Sequence, residues 1–223
     1  MEVALSIFLG GLITVLTAMG VEYLRRPRLA LSIEEPPLDL PAPGGKGTRR
    51  NLRLKLGNAP LPSVARWMQR AAANQCRGEI SFHYLNDGQD IFGKSMAVRW
   101  VNSPEPVASR IVDANNKIQY FIQDFSRPYV DSRIDVYPGE EELLDVAIRF
   151  DGEEDCYGWN NESYLYNWRT PHWKLPRGRY LAKVVITSSG QKCLDVFRLA
   201  SDVDNLAAFR LIAASVEDKA KIR

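Results

Sequence analysis

Residues 3–21 carry no charged side chain. Val3, Leu5, Ile7, Phe8, Leu9, Leu12, Ile13, Val15, Leu16, Met19 and Val21 are separated only by small or apolar residues and threonine. As a helix rising ~1.5 Å per residue this run spans about 28 Å, close to the ~30 Å hydrocarbon core of a bilayer. It stops at Glu22-Tyr23-Leu24-Arg25-Arg26-Pro27-Arg28, where an interfacial tyrosine, three arginines and a helix-breaking proline end the apolar phase. The pattern predicts one N-terminal transmembrane helix, residues 1–24 with its flanks.

Beyond Arg28 the hydrophobic period changes to two. Leu29, Leu31 and Ile33 alternate with Ala30 and Ser32; Leu52, Leu54 and Leu56 alternate with Asn51, Arg53 and Lys55; Ile80, Phe82 and Tyr84 alternate with Ser81 and His83. Such alternation predicts strands with one face buried and one face in water. Residues 97–101, 119–122, 132–137, 143–150, 179–187 and 192–199 read the same way, with Ser188-Ser189-Gly190-Gln191 as the hairpin turn between the last two. Residues 34–48 hold four prolines and three glycines, which predicts a long loop after the first strand. A helical insertion is expected over residues 63–73, where Ser63 follows Pro60 and Pro62 and can cap a first turn. Leu206, Phe209, Ala213 and Val216 fit a helix, yet Phe209-Arg210-Leu211 also reads as a final strand, with Ser215-Val216-Glu217-Asp218 as a capping box opening a short helix; strand then helix is the preferred reading. Strands joined by turns rather than helices predict a mainly β fold: an antiparallel immunoglobulin-like β-sandwich with one N-terminal transmembrane helix and short helical insertions. The expected organisation is an anchor over 1–24, a juxtamembrane basic segment with the first strand and loop over 25–50, the sandwich over 51–214, and a short helix or tail over 215–223.

Three stretches carry a resemblance. Leu54-Lys55-Leu56-Gly57-Asn58, then Ala73-Asn74-Gln75-Cys76-Arg77-Gly78-Glu79-Ile80, resembles the opening of CARDB-type immunoglobulin-like domains, in which an alternating strand ends in Asn and the next begins after an Ala-Asn corner. Tyr137-Pro138-Gly139-Glu140 before Leu144-Asp145-Val146, and Gly178-Arg179-Tyr180-Leu181, are similar to two later features of that family. The resemblance covers about half of the soluble part, and the spacer over residues 59–72 is longer than the family's. It implies a sandwich fold and a binding or scaffolding role, and it carries over no catalytic residue.

Charge then suggests an orientation. Only Met1 and Glu2 precede the apolar run, whereas Arg25, Arg26, Arg28, Lys46, Arg49 and Arg50 follow it. Because cationic flanks stay on the cytoplasmic side, the C-terminal domain is expected in the cytoplasm. A cleaved signal peptide is the competing reading: Ala18-Met19-Gly20 offers a small-residue cleavage site, while Glu2 stands where a basic residue belongs. Three cysteines, Cys76, Cys156 and Cys193, are odd in number and widely spaced, which suits reduced thiols in a cytosolic domain. The Asn161-Glu162-Ser163 sequon matters only in a secretory setting. Apolar residues make up 45% and charged residues 25% of the chain, with a net charge of +2, too mild a basic balance for a nucleic-acid partner. The expected partners are the lipid bilayer, met at its surface by Tyr23, Arg25, Arg26 and Arg28; a protein; and a second copy of the chain. The last would pack along the small-residue stripe Ser6, Gly10, Thr14 and Ala18.

Candidate chemistry is concentrated in one aromatic segment. Tyr157, Trp159, Tyr164, Tyr166, Trp168, Arg169 and Trp173 fall within seventeen residues. Trp, Tyr and Arg dominate binding energy at protein interfaces, so these seven are the expected partner-binding set. The alternative is a loop packed on its own rings over one end of the sandwich. A variant of the binding reading faces outward and stacks sugars on Trp159, Trp168 and Trp173. A third reading is an enzyme with a loop-built site using His172, Glu154 and Cys156. No catalytic motif supports it: there is no Gly-rich phosphate loop, no Gly-x-Ser-x-Gly elbow and no HExxH. The acidic run over 151–155 lacks the alternating ligands of a calcium loop, and the two histidines, His83 and His172, lack zinc-site spacing, so neither metal nor cofactor is expected. The sequence thus points to a membrane-tethered, non-catalytic adaptor that recognises a macromolecular partner near the inner leaflet.

Overall fold

An unbroken helix, α1 (Glu2–Arg25), occupies the uncharged run and ends where Pro27 bars its continuation. The computed structural model describes residues 2–42, 47–65, 67–124 and 133–222. At 24 residues, α1 is about 36 Å long, and it is long and apolar enough to cross a membrane, with none of its apolar window buried against the rest of the chain.

The rest is mainly antiparallel β structure. In chain order the strands are β1 (Leu29–Ile33), β2 (Leu38–Pro41), β3 (Thr48–Asn58), β4 (Ala73–Tyr84), β5 (Met96–Ala97), β6 (Arg99–Trp100), β7 (Val107–Val112), β8 (Ile118–Gln123), β9 (Ile134–Val136), β10 (Glu141–Phe150), β11 (Cys156–Gly158), β12 (Lys174–Leu175), β13 (Gly178–Ser188), β14 (Gln191–Ser201) and β15 (Arg210–Ala213), followed by a short helix α2 (Val216–Lys221). One sheet runs β1-β3-β10-β11-β12, with β2 beside β1 on the same edge of β3 and β6 on β10. The other runs β15-β14-β13-β4-β5, with β9 on β4. β7 and β8 form a separate two-stranded ribbon.

The period-2 leucines explain how the two sheets meet. Leu52, Leu54 and Leu56 of β3 and Leu144 and Val146 of β10 share one apolar core with Ile80 and Phe82 of β4, Val184 and Ile186 of β13, and Leu199 of β14. Burying each such side chain stabilises the fold by roughly 1.5–3 kcal/mol. Gly78 on β4 marks how close the packing is, since a Cβ there would lie 2.6 Å from Ile186 Cδ1. The Ser189-Gly190 turn joins β13 to β14 as the pattern predicts, with Gly190 at φ +81°.

The outer faces depart from the expected polar-out rule. On β10 every residue from Leu144 to Phe150 is buried, because a second apolar cluster of Ala42, Ile148, Phe150, Tyr157, Trp159, Tyr164 and Trp168 covers the far side of the first sheet. A β-bulge between Asp145 and Ala147 shifts the register of β10 against β3 at this place. A third, smaller cluster seats Ile222 on Leu181 and Val196, covering part of the second sheet's outer face with the chain's C-terminal end.

Several sequence expectations are corrected. The helix expected over residues 63–73 is a single 3-10 turn, Ser63–Ala65, because the backbone at Ala71 is recruited elsewhere: its N–H donates to the Arg25 carbonyl. The loop over 34–48 contains β2, which continues the sheet edge; Pro43 to Lys46 lie outside the described residues. Tyr84, expected on the core face, is exposed at the end of β4, and His83 is buried instead, its Nδ1 2.9 Å from the Gly88 carbonyl and its Nε2 2.8 Å from Ser81 Oγ. β7, β11 and β12 were not predicted. The final strand and the capped helix match the sequence reading, with the Ser215 and Asp218 side chains forming the reciprocal cap.

Candidate functional site

The aromatic segment is built by two local devices. Asn160 opens a 3-10 helix, Asn161–Tyr166: its side chain accepts from Glu162 N–H at 3.0 Å, while Ser163 Oγ accepts from Asn160 N–H at 3.1 Å. The turn closes with Asn167 at φ +48° and Trp168 at φ +71°, both left-handed. For a residue as large as Trp that conformation costs about 1–2 kcal/mol, so packing must hold it. The Arg49 guanidinium lies 3.7 Å from the Trp168 ring centroid, and Trp159 meets the same ring edge-on at 5.4 Å and 87°.

Beneath the rings lies a charged layer drawn from β3, β6 and β10. The Asp145 carboxylate accepts from Arg53 Nε at 2.9 Å, from Arg99 at 3.1 Å and from the Trp159 indole N–H at 3.1 Å. Arg49 donates to the Pro41 carbonyl and to Asn51 Oδ1, and Arg99 lies 5.7 Å from the Tyr164 ring centroid. Two guanidiniums thus hold one carboxylate, and Arg49 beside them places its charge over the Trp168 ring face. Burial pulls Arg49 down to about 10 and pushes the Tyr164 hydroxyl up.

This geometry answers where the expected binding residues lie. Tyr157, Trp159, Tyr164, Trp168 and Trp173 are all between 3% and 8% exposed. The first four form the cover on the first sheet; Trp173 belongs to the main core, where Phe92 meets it edge-on at 5.1 Å and its indole N–H donates to Glu162 at 3.0 Å. Arg169 pairs with Glu153 at 2.7 Å and stacks 3.6 Å over Phe150. Of the seven, Tyr166 alone is exposed, and its ring rests against His172. Of the seven side chains expected to meet a partner, the fold leaves only Tyr166 and part of Arg169 open to solvent. The faces of Trp159, Trp168 and Trp173 are closed to a sugar. The physical reason is that apolar rings covering a sheet gain more from burial than from waiting in water for a partner.

The residues of the enzyme reading are not brought together. Cys156 is wholly buried and its thiol is pushed up to about 12 by burial, whereas Glu154 and His172 are exposed. Cys76 is likewise pushed up to about 11 by burial, and no disulfide joins the three cysteines. Among the described residues no three His, Cys, Asp or Glu side chains converge as a metal would require.

Two surfaces remain open: one that the sequence pattern did not announce, and the expected membrane-facing one. On the β7–β8 ribbon Ile111 pairs directly with Tyr120, and Ile122 lies two residues further on the same face; all three are exposed, Tyr120 at 66%. The ribbon packs beside the 3-10 turn that exposes Leu165 and Tyr166. Arg110 within Val107-Ala108-Ser109-Arg110-Ile111-Val112 broke the alternation that would have announced β7.

The second surface is the collar where α1 meets the sheets. Tyr23, Arg25, Arg26 and Arg28 are all exposed, and Arg25 pairs with Glu22 at 3.8 Å. The last helical carbonyls are not left to solvent: Ala71 N–H donates to Arg25 O at 2.7 Å and the Arg70 guanidinium to Arg26 O at 2.5 Å. Buried Asn58 completes the joint, accepting from Arg28 N–H at 3.0 Å and donating to the carbonyls of Ala71 and Val136 at 3.0 and 3.1 Å. On α1 itself Gly10, Thr14 and Ala18 form an open stripe in which Thr14 Oγ1 donates to the Gly10 carbonyl at 2.9 Å; the Ser6 side chain lies outside the described residues. Comparison with protein-family models, curated proteins and solved structures finds no match to this chain.

Proposed function

We propose that this chain is a membrane-tethered binding module: an immunoglobulin-like β-sandwich, held at the cytoplasmic face by α1, that engages a protein partner without catalysing a reaction on it. The observation that carries the reading is the helix, none of whose apolar window is buried although the domain beside it already has its own core. So long an apolar surface is stable only in lipid or against another helix. Two sheets facing each other over a shared core support the sandwich, and the three arginines at the helix exit support the cytoplasmic side. The partner surface on this reading is the ribbon face of Ile111, Tyr120 and Ile122, continuous with Leu165 and Tyr166, rather than the buried rings behind it. Tethering adds to such binding by raising the local concentration of the two partners.

Expression of the full chain and of Leu12→Arg tests the tether. The parent is expected to float with vesicles and to resist alkaline carbonate, and a charge at mid-helix is expected to release much of it. A photo-reactive residue at position 120 is expected to trap a partner that one at exposed Lys192 does not; equal labelling from both positions overturns the surface assignment.

A further inference from the structure

The chain holds five tryptophans, and four of them, Trp100, Trp159, Trp168 and Trp173, are buried. The fifth, Trp67, is 78% exposed. An indole this open in a water-soluble surface is unusual, because it forfeits the apolar burial that drives folding. Its position supplies a reason. Trp67 stands four residues before Ala71, whose N–H is bonded to the carbonyl of Arg25, the last residue of α1. Four residues reach at most about 14 Å, so the ring is confined close to the point where the helix leaves the apolar phase. That is the depth at which Trp and Tyr gather in membrane proteins, apolar ring inward and polar edge toward the headgroups.

Trp67 does not stand there alone. Leu61 and Met68 are half-buried and line a groove with Tyr137, which is exposed and enters from the β9–β10 turn. Asn58 ties this second segment to the first through its bonds to the Ala71 and Val136 carbonyls, so both are fixed relative to the helix exit. Exposed Arg25, Arg26 and Arg28 border the same place, and of the nearby acids Glu22 is paired with Arg25. An apolar tip rimmed by arginines is complementary to the headgroup layer of an anionic leaflet.

We propose that Trp67, with Leu61, Met68 and Tyr137, is a second membrane contact that seats in the leaflet beside α1 and fixes the tilt of the β domain on the lipid surface. This rests on the reading of α1 as a membrane anchor. The occupant is the bilayer interface: the contact is continuous with the helix exit and bonded to it.

The test uses the full chain reconstituted into vesicles of phosphatidylcholine and phosphatidylglycerol, with and without bromine near the headgroup end of the acyl chains. Bromine quenches only indoles that touch it. The parent is expected to lose up to about a fifth of its tryptophan emission, one indole of five, and Trp67→Phe to lose almost none, while both float with the vesicles. Floating protein whose emission is unaffected by bromine, or quenched equally in parent and variant, overturns the contact and leaves the anchor standing. Protein that does not float overturns both. A change in Trp67 emission that follows protein concentration and ignores bromine assigns the surface to a second copy of the chain and likewise overturns the proposal.

Discussion

Asp145→Asn is the sharpest probe of the layer beneath the aromatic cover. The substitution keeps the shape of the side chain and removes its charge. Asp145 is 1% exposed and accepts three hydrogen bonds, one on Oδ1 from Arg53 and two on Oδ2 from Arg99 and Trp159. An amide can keep at most one of those oxygens. It settles with its NH2 toward Arg53, leaving that guanidinium facing a donor, while Arg99 loses its ionic partner at 6% side-chain exposure. Breaking a buried ion pair by removing one partner costs about 3–5 kcal/mol. Arg53 retains some access to water, so we take the lower end, about 3 kcal/mol. With a urea dependence of about 2–3 kcal/mol per molar, the midpoint falls by ~1–1.5 M. The assay is urea unfolding of the full chain in detergent, followed by tryptophan emission, to which the four buried indoles, Trp159 among them, contribute. Asp39→Asn is the control. Asp39 also holds an arginine, Arg50, through two bonds of 2.7 Å, but from an exposed position, and is expected to cost less than about 1 kcal/mol. Equal midpoint shifts in the two variants refute the reasoning, because burial of the network rather than pairing as such is held to set the cost.

Thiol chemistry and acid titration test other parts of the fold. At pH 8 a soluble disulfide reagent is expected to label the half-buried Cys193 slowly and Cys76 and Cys156 not at all until the chain is unfolded, since burial holds the latter two at about 11 and 12; fast labelling of Cys156 in the native chain contradicts its place in the core. The bond from Arg198 holds Asp218 down to about 2 from its usual 3.8, so its contribution is complete above pH 4 and disappears as pH falls through the range from 4 to 2. Allowing for the exposed arginine, this is about 1–2 kcal/mol at neutral pH. The stability deficit of Asp218→Asn in urea is therefore expected to shrink by roughly half between pH 6 and pH 3, and a deficit independent of pH contradicts the assignment.

Much of the fold was legible in the sequence because it follows from period alone. Leu52, Leu54 and Leu56 alternate and are all buried; the uncharged run is one helix; Ser215 and Asp218 form the cap that their spacing announces. What was illegible depends on contacts distant in the chain. Arg49, Asn51 and Arg53 carry the polar half of a strand pattern, and nothing local shows that Trp159 and Trp168, more than a hundred residues later, fold over them. The same distance hid the fate of the aromatic cluster: composition shows rings that must be sheltered, but not whether a partner or the protein's own sheet shelters them. Asn58 reads locally as the end of a strand, and its role as the joint between helix and domain emerges only when Arg28, Ala71 and Val136 are seen around it. The helix expected over residues 63–73 failed for a related reason: good local propensity at Ala71 gave way to a bond with the exposed end of α1.

Residues 2–25 are proposed to cross a bilayer and to leave the β domain on its cytoplasmic face. Protease added to sealed vesicles of known orientation tests it directly. With the cytoplasmic face outward the domain is expected to be digested while a fragment of helix size stays with the lipid; with that face inward the chain is expected to survive intact. Digestion of the domain in the second preparation, or a chain that washes free of both, contradicts it.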